Sequence, residues 1–91
     1  MEYSNLYVNR ILQLCKKKGY TVNRLATISN MKQSTLDNIV RGITKNPGVK
    51  TLHKLALALN MTLAEFLDFE ELNSYSFEDN TDDSTDGVNI D

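Results

Sequence analysis

The stretch TVNRLATISNMKQSTLDNIVRG, residues 21–42, decides how this chain folds. Thr21 is a good helix N-cap, and Tyr20 before it stands where an aromatic ring can staple onto Leu25. A helix is therefore predicted from about Val22 to Ser29. Asn30 stops it, because a short polar side chain tolerates the left-handed backbone conformation. After Met31 a second helix is predicted from about Gln33 to Arg41, with Leu36, Ile39 and Val40 turned inward, and Gly42 ends it.

The same punctuation continues on both sides. Upstream, residues from about Asn5 to Lys18 put Tyr7, Ile11, Leu14 and Lys18 on one face, with Val8 and Cys15 alongside. Three lysines suit the last turn of that helix and Gly19 its stop. Downstream, residues 42–48 contain Gly, Asn and Pro and read as a loop. A helix from about Val49 to Leu59 is amphipathic through Leu52, Leu55, Ala56 and Leu59, and Asn60 stops it. Thr62-Leu63-Ala64-Glu65 is a capping box, with Met61 and Phe66 at staple positions. Strand-like alternation is absent. The expectation is an all-α, compact five-helix domain over residues 1–72. Residues 73–91, rich in Asp, Asn, Ser and Thr, are expected to be a disordered acidic tail.

At 91 residues the chain supports one small core and leaves little room for a deep catalytic cavity. Its longest apolar run, Leu55 to Leu59, is far too short to span a bilayer, and Met1-Glu2-Tyr3 does not open an export signal. Cys15 is the only cysteine, which excludes an internal disulfide and a multi-cysteine metal site and suits a cytoplasmic setting. The net charge of −2 conceals an asymmetry. All ten bases lie between Arg10 and Lys54, against three acids in residues 1–67 (Glu2, Asp37, Glu65), a net +7; from Asp68 onward nine acids and no base give −9. A basic body points to a polyanionic partner, for which the acidic segment would compete.

The helix predicted over residues 33–41 begins with a polar cluster: Lys32, Gln33, Ser34, Thr35, Asp37 and Asn38. Gln and Asn pair bidentately with adenine, Ser and Thr bond to bases or phosphates, and Lys neutralises phosphate. Lys32 is a poor cap, so a phosphate role suits it better than a structural one. Two short helices joined by a tight turn, the second with a polar start, form a helix-turn-helix unit.

Residues 8–67 resemble the DNA-binding domain of Cro/cI-type (XRE family) bacterial and phage regulators. The resemblance rests on Leu25-Ala26, the loop Gly42-Ile43-Thr44-Lys45-Asn46-Pro47, Thr51-Leu52, Leu55-Ala56, Leu59-Asn60 and Thr62-Leu63-Ala64-Glu65-Phe66-Leu67, in that order. It implies a lambda-repressor-like fold and a transcriptional regulator, most simply a repressor, whose partner is double-stranded DNA. By the resemblance, Gln33, Ser34 and Asn38 fall where relatives read bases, with Asp37 a fourth. Lys32, Thr35, Arg41, Thr44, Lys45 and Asn46 fall where they hold phosphates or approach the minor groove, and the backbone near Val22 would receive a phosphate.

Three departures stand out. Val22 occupies a place where the family commonly has Gln, and Val40 and Cys15 replace an ion pair of Glu and Arg. Losing both halves of a buried pair is physically coherent. A second function class stays open, a protein-interaction or antitoxin-like module on the same scaffold, partnered through the acidic tail. A homodimer would form through the last helix, the first helix or the tail, or on DNA. No enzyme, cofactor or metal is expected, since His53 has no second ligand in view, and Glu65 and Asp68 read as a cap partner and surface charge.

Overall fold

In the computed structural model, which describes residues 2–77, the chain runs through α1 (Tyr3–Lys18), α2 (Val22–Ile28), α3 (Gln33–Val40), α4 (Val49–Ala58), α5 (Leu63–Leu67) and α6 (Glu70–Asn73). No strand occurs among the described residues. Met1 and residues 78–91, most of the segment expected to be a disordered acidic tail, lie outside them.

Four helix ends are built alike. Gly19, Asn30, Gly42 and Asn60 follow α1, α2, α3 and α4 with φ of 75°, 57°, 80° and 61°. At each, the next residue donates its N–H five residues back at 2.9 Å: Tyr20 to Cys15, Met31 to Ala26, Ile43 to Asn38 and Met61 to Ala56. A second bond from the left-handed residue itself completes a Schellman closure, which satisfies helix carbonyls and reverses the chain. Side-chain caps open α2 and α5. Thr21 Oγ1 accepts from the Arg24 N–H at 3.0 Å, and Thr62 with Glu65 forms the reciprocal capping box.

The core is made by Ile11, Leu14 and Cys15 of α1, Leu25 and Ala26 of α2, Leu36 and Ile39 of α3, Leu52, Leu55 and Ala56 of α4 with Leu59, and Phe66 of α5. Tyr20, Met31 and Met61, the apolar residues after three of the left-handed positions, pack against it. α2 packs on α3, α4 on α5 and on α2, and α1 crosses both α2 and α3. Two details of α1 differ from expectation. The helix begins two residues earlier, and Leu6, not among the residues expected inward, is buried, while Lys18 is exposed because its ammonium stays hydrated at the helix end.

A sixth helix, one turn long, follows the five expected, and its placement depends on Arg10. α5 has only five residues, and past it the N–H groups of Asp68 and Phe69 reach the carbonyls of Glu65 and Leu67 at 3.2 and 3.1 Å. Arg10 of α1 adds donors, from Nε to the Phe66 carbonyl and from Nη2 to the Glu65 carbonyl, both at 2.9 Å. Its guanidinium also lies 4.9 Å from the centre of the Phe69 ring. Phe69 is extended, and α6 then winds with Asn73 donating to Asp68 at 2.8 Å. Beyond it, residues 73–77, tail by composition, bring Tyr75 and Phe77 against Tyr3, with ring centres 5.0 and 5.2 Å away. Tyr7 lies edge-on to the same Tyr3 ring and donates its hydroxyl to the Tyr3 oxygen at 3.0 Å; burial first and this bond second hold the Tyr7 phenol above its ordinary pKa.

Cys15 is buried in the core and the half-buried Val40 packs against that core. Val40→Glu alone should destabilise the fold by about 1–3 kcal/mol, less than a fully buried carboxylate would. Adding Cys15→Arg should restore much of the loss, and urea midpoints for the four proteins of the cycle check the coupling; simple additivity would dissociate the two sites. Arg10→Met, which keeps the apolar stem, should cost about 1–3 kcal/mol and raise amide exchange selectively after Glu65.

Candidate nucleic-acid interface

Burial of Leu36 and Ile39 fixes which face of α3 meets solvent. Lys32 stands at the N-cap position without a side-chain capping bond, and Lys32, Gln33, Ser34 and Thr35 are all exposed. Asp37 and Asn38 are half-buried one turn further on. The polar cluster legible in the sequence therefore forms the exposed leading end of α3.

Gln33 is held in place. Its Nε2 donates to Oδ1 of Asn23, on the first turn of α2, at 2.6 Å. That bond leaves the Gln33 carbonyl oxygen and its second N–H available together, the acceptor and donor that an adenine edge requires. Asn23 is a member of the candidate site that sequence reasoning missed. It sits beside Val22, where the family's Gln is missing, and a polar side chain one position along was the available signal. Val22 itself is half-buried and packs on the core. Its N–H, at the start of α2, has no preceding helical turn to bond.

The loop after α3 is fastened to that helix. The Asn38 carbonyl accepts from both Ile43 and Thr44, at 2.9 and 3.0 Å, which sets residues 43–46 beside the end of α3. Because the residue five back from Ile43 is the polar Asn38, Ile43 lacks the apolar partner its three counterparts have, and it is 57% exposed. Arg41 and Asp37 pair at 3.4 Å across one turn, with side chains 64% and 48% exposed. Lys45 pairs at 2.9 Å with Glu2, a contact between distant parts of the chain that the sequence did not announce. Thr44 is half-buried, Asn46 exposed, and neither Lys32 nor Arg24 makes an ion pair among the described residues.

Other chemistry is sparse. His53 is exposed on α4, and among the described residues no three His, Cys, Asp or Glu side chains gather as a metal site. Burial pushes the Cys15 thiol pKa up, away from the thiolate that reactivity needs. A shallow depression of about 310 Å³, lined by Ile28, Ser29, Lys54, Leu57, Ala58 and Asn60, contains no nucleophile with a base. No described helix is long and apolar enough to cross a membrane.

A polar-fronted helix, set by a tight turn against its predecessor and flanked by a basic loop, defines a helix-turn-helix domain. Residues 11–66 match the helix-turn-helix family model, and the chain belongs to that family, in its Cro/cI (XRE) type. It is 39% identical over 66 residues to the HTH-type transcriptional regulator SlrR of Bacillus subtilis (strain 168), covering 71% of this chain and 43% of that protein. To SinR of the same organism, also an HTH-type transcriptional regulator, it is 32% identical, covering 72% and 60%. The chain thus spans about half the length of these relatives. Among solved structures it resembles prophage Lp1 protein 11, with a TM-score of 0.73 at 26% identity over 82% of this chain and all of that one. It also resembles the SinR protein/SinI protein complex, with a TM-score of 0.62 at 30% identity over 76% of this chain and 66% of that one.

If Asn23 holds the Gln33 amide in one orientation, Asn23→Ala should leave the fold intact and broaden base preference at a single position. A loss of about 1 kcal/mol of discrimination there, read from competition between duplexes differing at one base pair, is expected. An unchanged preference would separate Asn23 from base reading.

Proposed function

We propose that the chain is a sequence-specific DNA-binding transcriptional regulator, a repressor, that sets α3 in the major groove. The observation that carries this reading is Gln33, exposed at the leading end of α3 with its amide braced by Asn23. A solvated helix face has no need of such bracing; a base reader gains from it, because less side-chain freedom is lost on binding. Gln33, Ser34 and Asn38 are the base readers, with Asp37 beside them, its charge partly offset by Arg41. Lys32, Thr35, Arg41, Thr44, Lys45 and Asn46 hold phosphates, and the N–H groups near Val22 receive another. The partner is double-stranded DNA, met in the cytoplasm, with two copies of the chain on adjacent half-sites.

A protein-interaction role on the same scaffold is the second reading. It is favoured by Phe77, 54% exposed where α6 gives way to the acidic segment, and by the kinship to a domain solved in a complex of two proteins.

Selection of bound sequences from a random duplex pool, with molecular mass measured alongside, tests both. A defined half-site supports the first reading; no enrichment would defeat it. On the selected site, Gln33→Ala or Asn38→Ala should cost about 1–3 kcal/mol and relax one position, whereas Lys32→Ala should weaken all sequences alike and lower the salt slope by about one unit.

A further inference from the structure

Glu2 is fixed to the start of α1 in a way that does not depend on the loop it touches. Its Oε1 accepts from the Ser4 hydroxyl at 3.3 Å, and Ser4 is only 7% exposed, so the donor is held by packing. The carboxylate also stands at the N-cap position of a 16-residue helix, where the helix dipole favours negative charge. The same oxygen receives the Lys45 ammonium at 2.9 Å. Lys45 is the one phosphate-holding residue of the loop that carries a full charge, and a carboxylate oxygen offers it what a phosphate oxygen would: a single anionic acceptor at hydrogen-bond distance. Both side chains are more than half exposed, so an incoming phosphate can reach the ammonium.

We propose that Glu2 is an internal competitor for the phosphate at Lys45, a carboxylate that must release the loop when DNA arrives. The proposal rests on the DNA-binding reading above and adds a residue that sets its strength. In the free protein the loop charge is already countered, so binding exchanges one anion for another at Lys45, and the displaced Glu2 then faces the phosphate backbone with its own negative charge. Both effects weaken association, and salt screens both. The carboxyl of Glu2 is held below its ordinary pKa, mainly by Lys45, in keeping with a contact formed throughout the neutral range.

The experiment compares the full chain with Glu2→Gln, Lys45→Ala and the double variant on one selected duplex, at about 50 and 200 mM salt. Glu2 makes no side-chain capping bond to α1, so Glu2→Gln gives up only a charge–dipole interaction at the first turn and keeps an amide oxygen that can still accept from Ser4. Glu2→Gln should tighten binding about two- to fivefold at the lower salt, with a smaller gain at the higher, while base preference stays as it was. In the Lys45→Ala background most of that gain should vanish. An equal gain in both backgrounds would make Glu2 a diffuse repulsive charge and overturn the proposal. No gain, with Lys45→Ala still weakening binding, would overturn it while leaving the DNA reading standing. No binding by any of the four proteins would overturn both.

Discussion

Asn30 takes a left-handed backbone conformation, and the N–H groups of Asn30 and Met31 return to the carbonyls of Thr27 and Ala26 at 3.1 and 2.9 Å. This closure ends α2, reverses the chain within three residues and sets the direction in which α3 leaves. Everything downstream inherits it. Met31 is drawn onto the core by the same turn, Lys32 is left at the mouth of α3 with nothing to cap, and Gln33 arrives within reach of Asn23. A non-glycine residue in this conformation carries strain that Asn bears better than most, so the turn is stable only because the apolar side chains on either side are buried together. The two-helix unit and the core are in that sense one object.

The departures from the family pattern form a consistent set. Where relatives place Gln, Glu and Arg, this chain has Val22, Val40 and Cys15, all in or against the core. Polar contacts lie elsewhere: Asn23 braces Gln33, and Arg10 donates to the end of α5 from a helix more than fifty residues away in sequence. A core without a buried ion pair escapes the desolvation cost that such a pair carries.

The distribution of charge follows from the same architecture. Acids in the basic body are few, and two of the three touch bases of the proposed interface: Asp37 meets Arg41, and Glu2 meets Lys45. These exposed pairs contribute little to stability. Their consequence lies in what the surface offers to a polyanion, namely charges that are already engaged and must be exchanged, beside Lys32 and Arg24, which make no ion pair among the described residues.

The first five helices and most of their ends were legible because they depend on residues close in sequence. A left-handed Gly or Asn, a Thr cap and a capping box act over three to five residues, so Gly19, Thr21, Asn30, Gly42, Asn60 and Thr62 could be read directly, and the polar front of α3 followed from the periodicity of Leu36 and Ile39. The Leu-Ala, loop and capping-box matches then identified the helix-turn-helix family from the sequence alone. Only the tertiary structure decided the contacts between parts far apart in the chain: Arg10 on the end of α5, Glu2 on Lys45, Tyr3 under Tyr75 and Phe77, and the single turn of α6. Asn23 meeting Gln33 belongs with them, since a ten-residue separation becomes a 2.6 Å bond only after the turn at Asn30 has closed. Periodicity states which face of a helix is buried; it carries no record of what that face, or its polar margin, will meet.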